Sequence, residues 1–526
     1  MARDFQLPGR SPVISTNGMA ATSQPLASLA AIDVLRAGGN AVDAAVTACA
    51  VLCVVEPHMT GIGGDCFVQL KKPGKPAWGY NGSGRCAQKG TIDALRGQGL
   101  KEIGTSIHAV TVPGALEAWD ATLKAHGTYS LDRALAPAIK YAEEGFPLTA
   151  RSAFDWARFE TRMKDDPGLR RHYMPGGRMA KEGDVIRLQA LGQSFKTVAA
   201  KGIKAFYEGE IAQDIVDTIK PRGALLTMED FAAHKGEVVT PIATNYRGLD
   251  LSELPPNGQG LTALVMLNIL ENFDMKALDA LGPERFHLQL EAARIGYAVR
   301  DTHIGEPKTM TMDVGKLLDK AWAKKLAAKI DPKKRVPLPR APTPGNETVY
   351  LTVVDKDRMA VSFINTLYSN FGLGICTEKT GISLTNRGSS FLLEEGHPNS
   401  YGHGTRPMHT IIPALAMRND RVAYALGVMG AHYQPMGHVQ IVLNLIDYGM
   451  DVQQAIEAPR VFFVGEDSAC ERGIPAATLE GLRQRGHNVT VPEVPWGGAQ
   501  IINIDWDRGV LIAGSESRKD GCALGY

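Results

Sequence analysis

The sequence predicts a layered α+β fold, in which helices and sheets segregate along the chain instead of alternating regularly. Three observations carry this. The first two-thirds is rich in helical periodicity, and the part after about residue 347 turns to short β-rich runs separated by turn residues. No regular βα alternation and no repeat of fixed period joins the two parts.

Taken in order, "SLAAIDVLRAGGNAVDAAVTACAVLCVVEP" reads as two helices, the first closed by Gly38 and Gly39, the second opened by Asn40 as N-cap. The apolar run Ala44 to Val55 is too short to span a bilayer and is expected in the core. Cys49 and Cys53, one turn apart within it, read as small core residues. "CFVQL" and "HAVTV" are expected as short strands, and "SLDRALAPAIKYAEEGF" and "RFHLQLEAARIGYAVRDTH" as amphipathic helices. A proline- and lysine-rich stretch over about 331–347 reads as an exposed, extended linker. Strands are then expected in "TVYLTVVD", "MAVSFINTL", "GISLTN", "TIIPALAMR" and "VAYALGVMG". Helices return in "MGHVQIVLNLIDYG" and "AATLEGLRQRG", before closing strands in "AQIINIDW" and "GVLIAGS".

The 526 residues are 44% hydrophobic and 21% charged, an ordinary globular balance, and the formal net charge of +1 points away from nucleic acid and anionic membranes. The first residues carry no apolar secretory run, and the seven cysteines include no CxxC pair, so a reducing cytoplasm is the expected setting. "GIGGD" and "FGLGIC" complete no dinucleotide or phosphate loop, and "NGSGR" lacks the spacing of a serine elbow. His432 and His438 lack HExxH spacing and read as ordinary polar histidines. No cofactor and no metal are expected.

One hairpin stands out. Thr348 and Thr366 are equidistant from Asp357 in the turn "DKDR", so they would oppose each other across the strands. Such a pair is either a threonine ladder contact or a nucleophile and its partner. The second reading requires Thr348 to become N-terminal by self-cleavage. Its own α-amine, with an ordinary pKa of about 7.7–8, would then take the hydroxyl proton.

Motifs along nearly the whole chain bear on that choice: "GGNAVDAAVTACAVLCVVEPHMTGIGGD", "VPGALEAW", "LPPNGQG", "EAARIGYAVRDTHIGEP", "TVYLTVVDKDRMAVSFINTLYSNFGLGI", "RPMHTIIPA" and "NLIDYGMDVQQAIEAPR". In this order they resemble the gamma-glutamyltranspeptidase family of N-terminal nucleophile hydrolases. The resemblance implies a four-layer αββα sandwich and a precursor cut at Glu347–Thr348 into a large subunit, 1–347, and a small subunit, 348–526. It also implies Thr348 as nucleophile, Thr366 as its hydrogen-bond partner, and Gly430 and Ala431 in "GVMGAHY" as oxyanion donors.

The family's glutamate-binding positions depart from its pattern. Tyr368 stands where the family has Asn, Arg387 and Ser390 replace polar and acidic positions, and His409 and Thr410 replace paired serines. Arg85 lies two residues from the register of a family arginine. This set resembles a bacterial subgroup that includes oxamate amidohydrolases, with glutathione hydrolase-like and cephalosporin acylase-like members. The expected substrate is a small carboxylate-bearing amide such as oxamate, its carboxylate held by Arg85 and Arg387 facing His409, with a structural salt bridge as the equal alternative for Arg85. Glutathione hydrolysis or gamma-glutamyl transfer, cephalosporin acylase-like activity and an inactive binding protein are the alternatives. The oligomeric state stays open.

Overall fold

The computed structural model describes residues 6, 9–337 and 348–526. Two seven-stranded antiparallel sheets form its centre. The first runs, edge to edge, through Cys522–Gly525, Met19–Thr22, Val349–Val354, Ala360–Thr366, Asp65–Lys71, Trp78–Gly82 and Glu237–Val239. The second runs through Val13–Ser15, Val510–Ser515, Gly498–Asp505, Arg421–Met429, Ala414–Arg418, Leu249–Glu253 and Ile242–Tyr246.

Strand periodicity makes the layers. In Val349–Val354, the side chains of Val349, Leu351 and Val353 join a core with the helices Pro25–Arg36, Ala41–Val55 and Ala115–His126. The alternate residues Tyr350 and Val354 face the second sheet, meeting Ile411 in one cluster and Ala425 and Ile502 in another. On the outer face of the second sheet, Gly260–Leu270, Pro283–His303 and Gln434–Ile446 close a separate core. The order is helix, sheet, sheet, helix. This is the predicted α+β sandwich.

Local chemistry explains the best-read elements. Asn40 caps Ala41–Val55 by accepting from the Val42 and Asp43 amides, while the Asp43 carboxylate accepts from the Asn40 amide in return. Cys49 and Cys53 are buried free thiols in that helix. No described helix is long and apolar enough to cross a membrane.

Two expected strands do not form. "HAVTV" begins as a 3-10 turn, Ile107–Ala109, and then leans on one backbone bond from Val112 to the Arg85 carbonyl (3.0 Å), before Pro113 removes the next donor. "GISLTN" folds back on its own approach, through Thr377 N–H to Ile382 O and Leu384 N–H to Ile375 O, with a single isolated bridge at Ser383.

The segments before and after the linker share both sheets. Val349–Val354 pairs with Met19–Thr22, and Ala360–Thr366 pairs with Asp65–Lys71. The start of the linker is also anchored: Arg335 N–H bonds the Arg485 carbonyl and Val336 N–H the Glu291 carboxylate. Glu347, the expected scission bond and the rest of the linker (338–347) lie outside the described residues.

Candidate active site

The hairpin fixes the site. Val349 pairs with Asn365 and every later pair keeps that register, so Thr348 falls opposite Thr366. Both even-numbered threonines take the face of Tyr350 and Ile364, which looks into the space between the sheets. Their hydroxyl oxygens are 3.1 Å apart and fully buried. Thr366 Oγ1 also accepts from the Tyr368 amide at 2.8 Å.

Asp65 stands beside Thr366 in the next strand and shares its face, as the packing of Phe67 in the inter-sheet cluster requires. The preceding Gly64 is needed because a Cβ there would overlap the Thr366 carbonyl oxygen. "GIGGD" is therefore a close-packing device under the hairpin. Asp65 Oδ1 accepts from the Gly84 amide (2.8 Å), and Oδ2 accepts from His409 Nε2 (3.0 Å). His409 Nδ1 accepts from the Ile411 amide, so the ring is neutral with its proton on Nε2. Burial first, and the nearby Arg387 cation second, push the His409 pKa down to about 4.

Arg387 is fully buried, and none of its three guanidinium nitrogens has a hydrogen-bond partner among the described residues. Its charge lies over the Tyr368 ring, 3.8 Å from the centroid, and burial lowers its pKa to about 10, so it remains a cation at neutral pH. Tyr368 holds a positive φ of 76°, a conformation that a bulky residue adopts only under local constraint. Ser390 Oγ and Thr410 Oγ1 are likewise buried and have no hydrogen-bond partner among the described residues.

Arg85 behaves differently. It is 31% exposed and bonded to Glu306 (2.8 Å), the Gly404 carbonyl (3.0 Å) and Glu237 (3.4 Å). Of the two readings of Arg85, these ion pairs are those of the structural salt bridge.

Gly430 and Ala431 end the strand Arg421–Met429 in two successive left-handed conformations, φ 117° and 45°. The Tyr433 amide closes that turn on the Gly430 carbonyl at 2.9 Å, ahead of the helix Gln434–Ile446. Gln259, in "LPPNGQG", braces the turn by donating to the Ala431 and Thr410 carbonyls, both at 2.8 Å. His432 Nε2 lies 3.2 Å from the Tyr368 hydroxyl, and Arg300 Nη1 reaches both His432 Nδ1 (2.9 Å) and Gln259 Oε1 (2.8 Å). His438 is a satisfied core residue between Glu253 (2.7 Å) and the Val428 amide (3.2 Å). Ser369, Asn370 and Asn386, chain neighbours of Tyr368 and Arg387, line a cavity of about 250 Å³ with Arg151, Arg158 and Arg162.

Sequence reasoning missed Asp65, Gln259, Arg300 and the second contact of His432. Strand parity relative to Phe67 was the available signal for Asp65. The others meet only through long-range packing.

The family model for gamma-glutamyltranspeptidase matches residues 27–526. The chain belongs to the gamma-glutamyltranspeptidase family. It is 37% identical to the glutathione hydrolase-like YwrD proenzyme of Bacillus subtilis (98% of this chain, 99% of that one). It is 32% identical to the oxamate amidohydrolase proenzyme of Klebsiella pneumoniae, again over 98% and 99%. Among solved structures, a cephalosporin acylase from Bacillus halodurans superposes with a TM-score of 0.93 at 38% identity, covering 100% of this chain and 99% of that one. The protein is thus an enzyme of the N-terminal nucleophile hydrolase kind, a hydrolase or acylase of the transpeptidase family.

Proposed function

We propose that this transpeptidase-family enzyme is a self-processing amidohydrolase acting on a small amide that carries a carboxylate, with Thr348 as nucleophile. In maturation, Thr348 Oγ1 attacks the Glu347 carbonyl and the acyl chain shifts from nitrogen to oxygen, which frees the Thr348 α-amine; water then hydrolyses the ester to the Glu347 carboxylate and the free hydroxyl. In turnover that amine takes the hydroxyl proton as Oγ1 attacks the substrate carbonyl. The Gly430 and Ala431 amides stabilise the oxyanion, the Thr348 ammonium passes its proton to the substrate nitrogen as the C–N bond breaks, and water attacks the acyl-enzyme to release the acid. Thr366 orients Oγ1 throughout.

The observation that carries the substrate class is Arg387. A fully buried guanidinium with no hydrogen-bond partner among the described residues, stacked on a tyrosine whose amide bonds Thr366, supports a carboxylate receptor at this position. Arg85 has no such vacancy and is assigned a structural role. Oxamate is the smallest amide that fits this description, which agrees with the name of the Klebsiella relative. The arginine-lined cavity beside Asn370 and Asn386 favours a second reading, an acylase taking a bulkier amide.

The test is N-terminal sequencing of the smaller fragment, followed by assays of oxamate, glutathione and a gamma-glutamyl anilide on processed enzyme. A fragment starting at Thr348, an uncut Thr348→Ala chain and a preference for oxamate are expected. Preference for a gamma-glutamyl donor would overturn the substrate class and leave the nucleophile in place.

A further inference from the structure

The hydrogen bonds around His432 leave only one arrangement of protons. Arg300 Nη1 can only donate, so His432 Nδ1, 2.9 Å away, must accept. Burial first, and the Arg300 and Arg387 cations after it, hold the His432 pKa far below its usual range, so the ring is neutral. Its single proton is then on Nε2, which faces Tyr368 Oη at 3.2 Å and donates to it. The tyrosine oxygen is therefore an acceptor toward His432, and its own proton has no acceptor among the described residues. Tyr297 donates to the His432 backbone carbonyl and so pins the main chain that carries the ring.

We propose that Arg300 and His432 are positioning residues that lock Tyr368 as a hydrogen-bond donor to the substrate, so that the pocket receives an anionic acyl group bearing no ammonium. The inference rests on the amidohydrolase reading above. Every vacant polar group at the site can donate: Arg387 with its guanidinium, Tyr368 with its phenol, Ser390 and Thr410 with their hydroxyls. The one carboxylate facing this cluster, Asp65, is already spent on His409 and the Gly84 amide. An α-ammonium group would meet the buried Arg387 cation, while Asp65, the carboxylate in that cation's field, already accepts from His409 and the Gly84 amide, an arrangement that a desolvated site penalises. The preferred acyl group is then a dicarboxylic or 2-oxo acid unit attached through one amide bond.

Two measurements test this on the processed, full-length enzyme. Glutaryl-4-nitroanilide and gamma-L-glutamyl-4-nitroanilide differ only by the α-ammonium. The glutaryl compound should be cut with a kcat/KM at least about 100-fold higher. A rate on the gamma-glutamyl compound equal to or above it, zero for both included, overturns the ammonium rule. Nitrogen-15 NMR of labelled histidine should find His432 as the Nε2–H tautomer; an Nδ1–H ring or an imidazolium overturns the lock. Tyr368→Phe and His432→Ala should each lower kcat/KM about tenfold or more, while Arg300→Lys, which keeps a donor at Nδ1, retains most activity. Equal losses in all three would mean a structural role only. A wild-type enzyme that cuts no amide would refute the functional reading, while the tautomer result still stands or falls by itself.

Discussion

His409 hands its Nε2 proton to Asp65 Oδ2 at 3.0 Å, in a pair fully shielded from water and within reach of the Arg387 charge. Its folded pKa of about 4 lies below the ordinary histidine value of 6.5. As pH falls from about 6.5, the unfolded chain gains this proton before the folded one does. His409 therefore costs no stability above that pH, and the loss grows down to about pH 4, reaching roughly 3 kcal/mol. Urea unfolding at several pH values should give a steeper acid decline for the wild type than for His409→Gln. Parallel declines would show that the ring is not buried neutral.

Thr366 should matter more to turnover than to folding. Removing its hydroxyl breaks the 3.1 Å contact with Thr348 and the 2.8 Å contact from the Tyr368 amide. That costs about 1–2 kcal/mol of stability, including a buried amide left without its acceptor. The Thr366→Ala enzyme should lose about 100-fold in kcat once processed, and Thr366→Ser should recover most of it. An alanine variant with normal kcat would reduce Thr366 to a strand residue.

Much of this was legible in the sequence because local rules determine it. The hairpin register follows from symmetry about Asp357, and the strand pairs from Val349–Asn365 to Val354–Ala360 obey it. The Asn40 cap follows from side-chain chemistry, and the choice between a ladder contact and a nucleophile was turned by family motifs. "HAVTV" and "GISLTN" misled because β-branched residues signal extension without revealing whether a partner strand exists. The ion pairs of Arg85 with Glu237 and Glu306 join residues more than a hundred positions apart, which no local pattern discloses. The Arg300–His432–Tyr368 chain was hidden for the same reason.

Arg85→Ala should act on stability more than on catalysis. Glu306 is nearly buried, and without Arg85 it keeps, among the described residues, the exposed Lys308 at 3.1 Å and the more distant charge of Arg406. A loss of about 1–2 kcal/mol is expected, reduced by the partial exposure of Arg85 itself. The kcat/KM on the preferred amide should change by less than about tenfold, or 1.4 kcal/mol. A loss as large as that of an Arg387 variant, with the fold intact, would return Arg85 to the carboxylate site.

Arg387→Met should separate stability from function. The wild-type guanidinium is fully buried with no hydrogen-bond partner among the described residues, and is compensated by the Tyr368 ring face at 3.8 Å and the charge of Asp65. Leaving such a group unsatisfied costs the folded state about 1–3 kcal/mol, which an apolar side chain of similar length removes. The variant should therefore unfold at a higher temperature than wild type in the absence of ligand. It should also lose about 2–5 kcal/mol of transition-state binding on a carboxylate-bearing amide, while still cutting itself at Thr348. Adding a small dicarboxylate such as oxalate should raise the melting temperature of the wild type and leave the variant unmoved, because only the wild type offers a cation to bind it. A variant less stable than wild type, yet still stabilised by oxalate, would place the carboxylate receptor elsewhere and make Arg387 a packing residue.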